Sequence, residues 1–300
     1  MKAVSSALLR RSLFEITDSM LCPLQDAWQR QTRASASEII NQKEVRFVGM
    51  RRTGNHALIN WLMHQLSGEV RHLNNVVISR NPYRYKANNL RRYFPEHAEM
   101  AKTYQRQADG ALVKRDCLLY SYEDWSLGQI SRSRVEYNRE LYFGKAARYY
   151  DVLILRDPFN LFASRLKKGF VATKDSQLDM VEMWLEYAKE FVGESHHLNR
   201  NLVCINYNRW FAQEDYRRQI SKQMAIPFSD AGLTSVSAVG DGSSFDGTRF
   251  SGDARVMDVT NRWRHFENDL AYRQLFENDD IWKYSERIFG KMPGTESLQV

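Results

Sequence analysis

Residues Val45 to Leu62 read VRFVGMRRTGNHALINWL. The apolar run Val45, Phe47, Val48 has the make-up of a buried strand. A turn bounded by glycines follows, Gly49-Met50-Arg51-Arg52-Thr53-Gly54, and then Leu58, Trp61, Leu62 and Leu66 recur at helical spacing. A strand that passes through such a turn into a helix aims free backbone N–H groups and the positive end of the helix dipole at one point, which makes an anion cradle. The spacing is G-x-x-x-x-G, the first half of a nucleotide phosphate-binding loop, but Asn55-His56 stand where Lys-Ser/Thr would complete it. The lysine that would reach a terminal phosphate and the hydroxyl that would hold Mg²⁺ are both replaced. Two guanidinium groups, Arg51 and Arg52, sit inside the loop instead, and guanidinium binds phosphate bidentately. The stretch therefore reads as a phosphate site without an obvious metal. The plainer alternative is a tight strand-to-helix connection with no ligand.

A second stretch, Asp151 to Lys168, reads DVLILRDPFNLFASRLKK and repeats the plan. Val152 to Leu155 form a buried strand, Arg156 stands at its carboxyl end, and Pro158 stops the sheet. Ser164 comes eight residues after Arg156, on the first turns of the next helix. Ligands of open α/β sheets collect outside the carboxyl ends of the strands, so Arg156 and Ser164 could grip one phosphate while the first loop grips another.

The two stretches together resemble the sulfotransferase family, whose donor is 3′-phosphoadenosine 5′-phosphosulfate (PAPS). The family's first motif binds the 5′-phosphosulfate, and Arg52-Thr53-Gly54-Asn55 occupy its places. Its second motif, an arginine at a strand end with a serine eight residues on, binds the 3′-phosphate, and Arg156 and Ser164 match it. The resemblance implies a donor site of Arg51, Arg52, Thr53, Gly54, Asn55, His56, Ala57, Arg156 and Ser164. It also implies that Tyr207, after the strand Leu202–Tyr207, lies against the adenine. In the loop Gly240–Phe266, rich in Gly, Ser and Asp, basic residues would close over the 3′-phosphate; Arg249, Gly252 and the pair Arg262-Trp263 are the candidates. The family's catalytic base ends the strand before the 3′-phosphate strand, and here that place falls on Glu123, at the end of Leu118–Asp124. A helix cap is the alternative role for this carboxylate, and Asp124, His72 and His56 stay open as bases.

Composition narrows the class. The 300 residues carry 43% hydrophobic side chains and a net charge of +7, which favours anionic partners. The three cysteines, Cys22, Cys117 and Cys204, are widely spaced and form no metal-ligand pattern, which suggests a reducing compartment. No apolar run reaches the length of a membrane span, and Arg10-Arg11 break the short run Ala7-Leu8-Leu9 of the N-terminus. The expectation is a cytoplasmic protein of unknown oligomeric state.

Residues 1–43 read as a helical extension, with Leu8, Leu9, Leu13 and Phe14 on one stripe and Pro23 interrupting it. Residues 44–292 read as a single α/β domain, three-layered, with a mostly parallel sheet flanked by helices in the P-loop nucleotide-binding architecture. Residues 293–300 read as a tail. Arg80 to Arg106 mix arginine with Tyr83, Tyr85 and Tyr93. They are expected to be a solvated insertion near the substrate mouth, with no nucleic acid as partner because no nucleic-acid module contains them. Gln177–Phe191 reads as an amphipathic core helix, and a helix is expected from Trp210 to Met224.

The expected reaction is in-line transfer of a sulfuryl group from PAPS to a hydroxyl or amine of a small-molecule or saccharide acceptor, without metal. Arg52 and His56 would serve the leaving phosphate and Glu123 would take the acceptor's proton. Two alternatives stand beside it: a P-loop kinase-like phosphoryl transferase, and a non-catalytic polyanion or nucleic-acid binder using residues 80–106.

Overall fold

The structure, a computed structural model, describes residues 21, 23–31, 38–235 and 242–299. The expected stripe Leu8, Leu9, Leu13 and Phe14 lies outside the described residues, as does Gly240. The described residues form two compact units, one drawn from the ranges 1–42, 76–115 and 132–147, the other from 43–75, 116–131 and 148–300.

Five strands form one sheet: β1 (Ile39–Gly49), β2 (Val70–Leu73), β3 (Arg115–Glu123), β4 (Lys145–Leu155) and β5 (Val203–Asn206), in the order β2-β3-β1-β4-β5. The sheet is parallel throughout, with Val70 opposite Cys117 and Val152 opposite Val203 in register. Near-continuous apolar strands such as VLIL in β4 suit a sheet covered on both faces. On one face Val45, Phe47, Cys117, Leu119, Val152, Ile154, Val203 and Ile205 pack with Leu58, Trp61 and Leu62 of helix α1 (Asn55–Gln65). Trp61 meets Trp210 edge-on at 6.1 Å between centroids. The alternate residues Leu118, Tyr120, Leu153 and Leu155 are equally buried on the opposite face. The expected three-layered α/β architecture is therefore present.

The first unit corrects one expectation. Residues 80–106 are not a solvated insertion but contribute helices α2 (Pro82–Tyr93) and α3 (Ala98–Ala108). Asn81 caps α2 through the N–H groups of Tyr83 and Arg84, and Pro82 takes the first helical position, where its missing N–H costs nothing. Tyr83 is buried and stacks on Tyr104 at 6.2 Å, and Arg80 and Arg84 are buried too. A polyanion face built on these side chains is thereby weakened. β1 also begins at Ile39, inside the segment expected to be an extension.

In the second unit, helix α4 (Pro158–Lys167) follows β4 and helix α5 (Met180–Phe191) carries the buried Trp184 and Tyr187. The helix expected from Trp210 to Met224 is two: α6 (Tyr207–Ala212) and α7 (Glu214–Gln223). Gln213 between them is extended, and Arg217 reaches back to donate to the Trp210 carbonyl of α6 at 2.8 Å. Helix α8 (Asp279–Phe289) follows, and the residues read as a tail form a short turn, Thr295–Leu298, that buries Leu298. No helix among the described residues is long and apolar enough to cross a membrane.

Candidate active site

A cavity of about 300 Å³ opens at the carboxyl ends of β1, β3 and β4, and the described residues that bound it belong to the second unit. That is where an open parallel sheet places its ligands, at the small end of the usual range of ligand pockets. One side of it is the glycine loop. Gly54 precedes α1 in the left-handed region (φ 108°), and no side chain caps the helix, whereas α2, α4 and α5 are capped by Asn81, Asp157 and Asp179. The helix start has no side-chain cap, and Gly54, Asn55, His56 and Ala57 stand on the cavity wall, so its free N–H groups border the cavity. The loop is braced from beneath. Asp124 accepts from the Arg51 N–H at 2.8 Å and from Arg165 at 2.7 Å, and both of these carboxylate and guanidinium side chains are fully buried. Arg52 holds a left-handed φ of 72° inside the turn. Thr53 is fully buried, its hydroxyl oxygen without a hydrogen-bond partner among the described residues.

Gly54 has a specific reason to be glycine. A Cβ there would come within 2.2 Å of Cε2 of Tyr207, so the absent side chain is what lets that ring lie against the loop. Gly54→Ala is expected to cost about 1–2 kcal/mol from backbone strain alone, with the clash in addition. Tyr207→Ala in the same chain should recover the clash and not the strain, which urea denaturation of the three variants measures.

The second motif meets the first here. Arg156 donates to the Arg52 carbonyl at 3.3 Å and to Ser164 Oγ at 3.2 Å, and it also donates to the Val259 carbonyl. Its guanidinium carbon lies 5.2 Å from the centre of the Tyr207 ring. Arg262 converges on the same serine at 3.3 Å and reaches Ser243 Oγ at 2.8 Å. Arg52 donates to Ser244 Oγ at 2.6 Å and to the Gly242 carbonyl at 2.7 Å. Three guanidinium groups are thus gathered around one cavity, and the nearest carboxylate to Arg262 is Asp246 at 3.5 Å. Burial, reinforced by the like charges of Arg156 and Arg52, pulls Arg262 down to about 10. The Nε atoms of Arg156 and Arg262 are buried without hydrogen-bond partners among the described residues. A cluster of this kind is relieved by an anion with several oxygens.

The other end of the cavity holds Glu123, His56, Asn74, Asn75, Arg51 and Phe170. Glu123 accepts from Asn55 Nδ2 at 3.2 Å, and the same amide donates to the Met50 carbonyl at 3.1 Å, so Asn55 ties the loop to the carboxylate. His56 Nε2 lies 3.9 Å from Glu123. Burial lowers the imidazole below its ordinary range, Arg52 pushes the same way and Glu123 opposes both.

The sequence-named residues fall into three groups. Arg51, Arg52, Gly54, Asn55, His56, Ala57, Glu123, Arg156 and Tyr207 line the cavity. Thr53 and Ser164 stand behind it, the latter through its bonds to Arg156 and Arg262. Arg249 is exposed beside Phe250 and does not border the cavity, whereas Arg262 of the same loop does. Asp124 is occupied as a brace, and His72 lies on β2 away from the cavity lining. Sequence reasoning missed the apolar wall of Trp210, Phe211, Leu233 and Met257 and the two serines Ser243 and Ser244. No residue pattern marks them.

No protein-family model matches the chain, and no curated protein matches it in sequence. Solved structures do match. The sulfotransferase domain from the Synechococcus PCC 7002 olefin synthase superposes with a TM-score of 0.52 at 12% identity, covering 87% of this chain and 99% of that domain. Mouse sulfotransferase SULT7A1, crystallised with PAP, matches with a TM-score of 0.40 at 9% identity over 85% of this chain and 92% of its own. The fold of this chain, a parallel five-stranded sheet flanked by helices, is one that sulfotransferase domains share.

Proposed function

We propose that the cavity binds PAPS and that the protein transfers its sulfuryl group to a hydroxyl or amine. The observation that carries this reading is the convergence of Arg52, Arg156 and Arg262 on one cavity beside an uncapped helix start. The residues fit such a donor. It has two separate anionic ends, and the cavity has two places for them: the glycine loop, and the Arg156–Ser164–Arg262 group. PAPS brings a sulfuryl group already activated on a phosphate leaving group. The protein's work is then placement and charge stabilisation.

Arg156, Arg262 and Ser164 would hold the 3′-phosphate, with the Tyr207 ring beside the adenine. Arg52, released from Gly242 and Ser244, would neutralise charge gathering on the leaving phosphate, together with Arg51 and the amides at the start of α1. His56 would donate a hydrogen bond to the same oxygens. Glu123 would take the acceptor's proton while the acceptor's oxygen or nitrogen bonds to sulfur and the sulfur–oxygen bond to the phosphate breaks.

The test is label transfer from ³⁵S-PAPS to a mixed set of phenol, saccharide and lipid alcohols. Glu123→Gln should lower the transfer rate roughly 10²–10⁴-fold, the usual contribution of general base catalysis, while binding of the product nucleotide persists. Transfer by the variant at the wild-type rate would remove Glu123 from its role.

A further inference from the structure

Lys174 stands behind the wall of the cavity near Glu123, on the segment after α4, and no motif marks it. Its N–H donates to the Asp124 carbonyl at 2.8 Å, which fixes this segment to the end of β3. Its ammonium donates to Asn75 Oδ1 and lies 5.1 Å from the centre of the Trp125 ring. Asn75 is held in turn, with a left-handed φ of 51° and its N–H on Ser121 Oγ at 2.8 Å. An ammonium can only donate, so it takes the carbonyl end of the Asn75 amide and leaves the NH₂ end for whatever enters the cavity.

The charges around Lys174 do not balance. Arg51 faces it from the glycine loop, and Glu123 and Asp124 face it from the end of β3. Asp124 is engaged by Arg165 at 2.7 Å and by Arg51 at 3.5 Å, and Glu123 by Asn55 at 3.2 Å. No carboxylate among the described residues forms an ion pair with Lys174. Burial, its largest influence, brings the ammonium down to about 8, with Arg51 adding to the effect and the two carboxylates opposing it. Three cations, Arg51, Arg165 and Lys174, thus meet two carboxylates, Glu123 and Asp124. A half-buried ammonium held in a net positive cluster with no ion pair of its own is costly, and an uncharged acceptor would do nothing to offset that cost.

We propose that this end of the cavity takes an acceptor that carries its own negative charge, a carboxylate or a sulfate, beside the hydroxyl or amine to be modified. Lys174 is its counter-ion, acting through the Asn75 amide, whose NH₂ end is a hydrogen-bond donor to it. The inference rests on the sulfotransferase reading and names its acceptor class.

Matched acceptors test it: 4-hydroxybenzoate against 4-hydroxybenzamide, and methyl glucuronide against methyl glucoside, each with saturating labelled PAPS. The charged member should be favoured in kcat/KM by about tenfold or more, the effect of one charge-assisted contact. Lys174 is charged below about pH 8 and loses its proton above it, so the preference should fall as pH rises through that range. Lys174→Met should bring the ratio near one, and Lys174→Arg, which stays charged, should keep the preference at higher pH. PAP binding by each variant reports whether it is folded. Equal use of both members, a preference that survives Lys174→Met, or a PAP complex that neither binds nor modifies any of the four, overturns the acceptor class alone. Absence of PAP binding by the wild type overturns the underlying reading and this inference with it.

Discussion

Arg156→Ala is expected to weaken PAP binding by about tenfold to a hundredfold. The range is that of a lost hydrogen bond to a charged group, roughly 1.5–3 kcal/mol, converted at 1.4 kcal/mol per factor of ten. The upper end is favoured because Arg156 does three things at once. It touches the cavity, it joins the Arg52 carbonyl to Ser164, and it supports the Tyr207 face. Two milder variants separate these parts. Ser164→Ala removes the hydroxyl shared by Arg156 and Arg262 and should cost tenfold or less, near 1 kcal/mol. Arg156→Lys keeps the charge without the two-armed geometry and should fall between the other two. Calorimetric titration of the three variants checks the order. An Arg156→Ala protein that binds PAP as tightly as the wild type would remove the second phosphate from the account.

Asp124→Ala should lower stability by roughly 3–5 kcal/mol, the cost of leaving a buried charge without its partner. Arg165 is the group left behind, fully buried and 2.7 Å from the carboxylate. Against a typical total of about 5–15 kcal/mol, many molecules of the variant would be unfolded under mild denaturant. The same carboxylate holds the Arg51 N–H, so the glycine loop should lose its shape as well and the remaining folded protein should bind PAP weakly. Replacing both partners, Asp124→Leu with Arg165→Met, should recover much of the stability and little of the binding, because the charge is gone but the brace on Arg51 is not restored. Denaturation curves of the single and double variants decide this. A loss below about 1 kcal/mol in Asp124→Ala would mean that the pair is not the support described.

The parts of the site that could be read in the chain are those whose residues are dictated by backbone geometry. Gly54 must be glycine because of its left-handed φ and the Tyr207 ring against it. Arg156 is visible because a buried strand delivers it to a fixed place and Pro158 ends the sheet behind it. Glu123 and Asp124 are adjacent, and their division of labour could not be read from the chain. It depends on a left-handed turn at Asp124, φ 59°, that sends one carboxylate under the loop while the other borders the cavity. Arg262 and Arg249 share a loop rich in glycine and serine, where no periodicity tells which side chain turns inward. Lys174 is less legible still, since its position follows from one backbone hydrogen bond to the Asp124 carbonyl. Residues 80–106 misled for a different reason. Their apolar contacts are made by tyrosine and alanine, Tyr83, Ala87, Ala101 and Tyr104, among many charges, so helices with a buried side read as a solvated stretch.

The most direct measurement is calorimetric titration of the wild-type protein with PAP in the presence of a chelator, beside a titration with ATP and Mg²⁺. Micromolar binding of PAP without metal, with ATP much weaker, is the result that three arginines around an uncapped helix start predict. Tight binding of ATP with Mg²⁺ and none of PAP would contradict the sulfuryl-donor account and turn the site over to phosphoryl transfer.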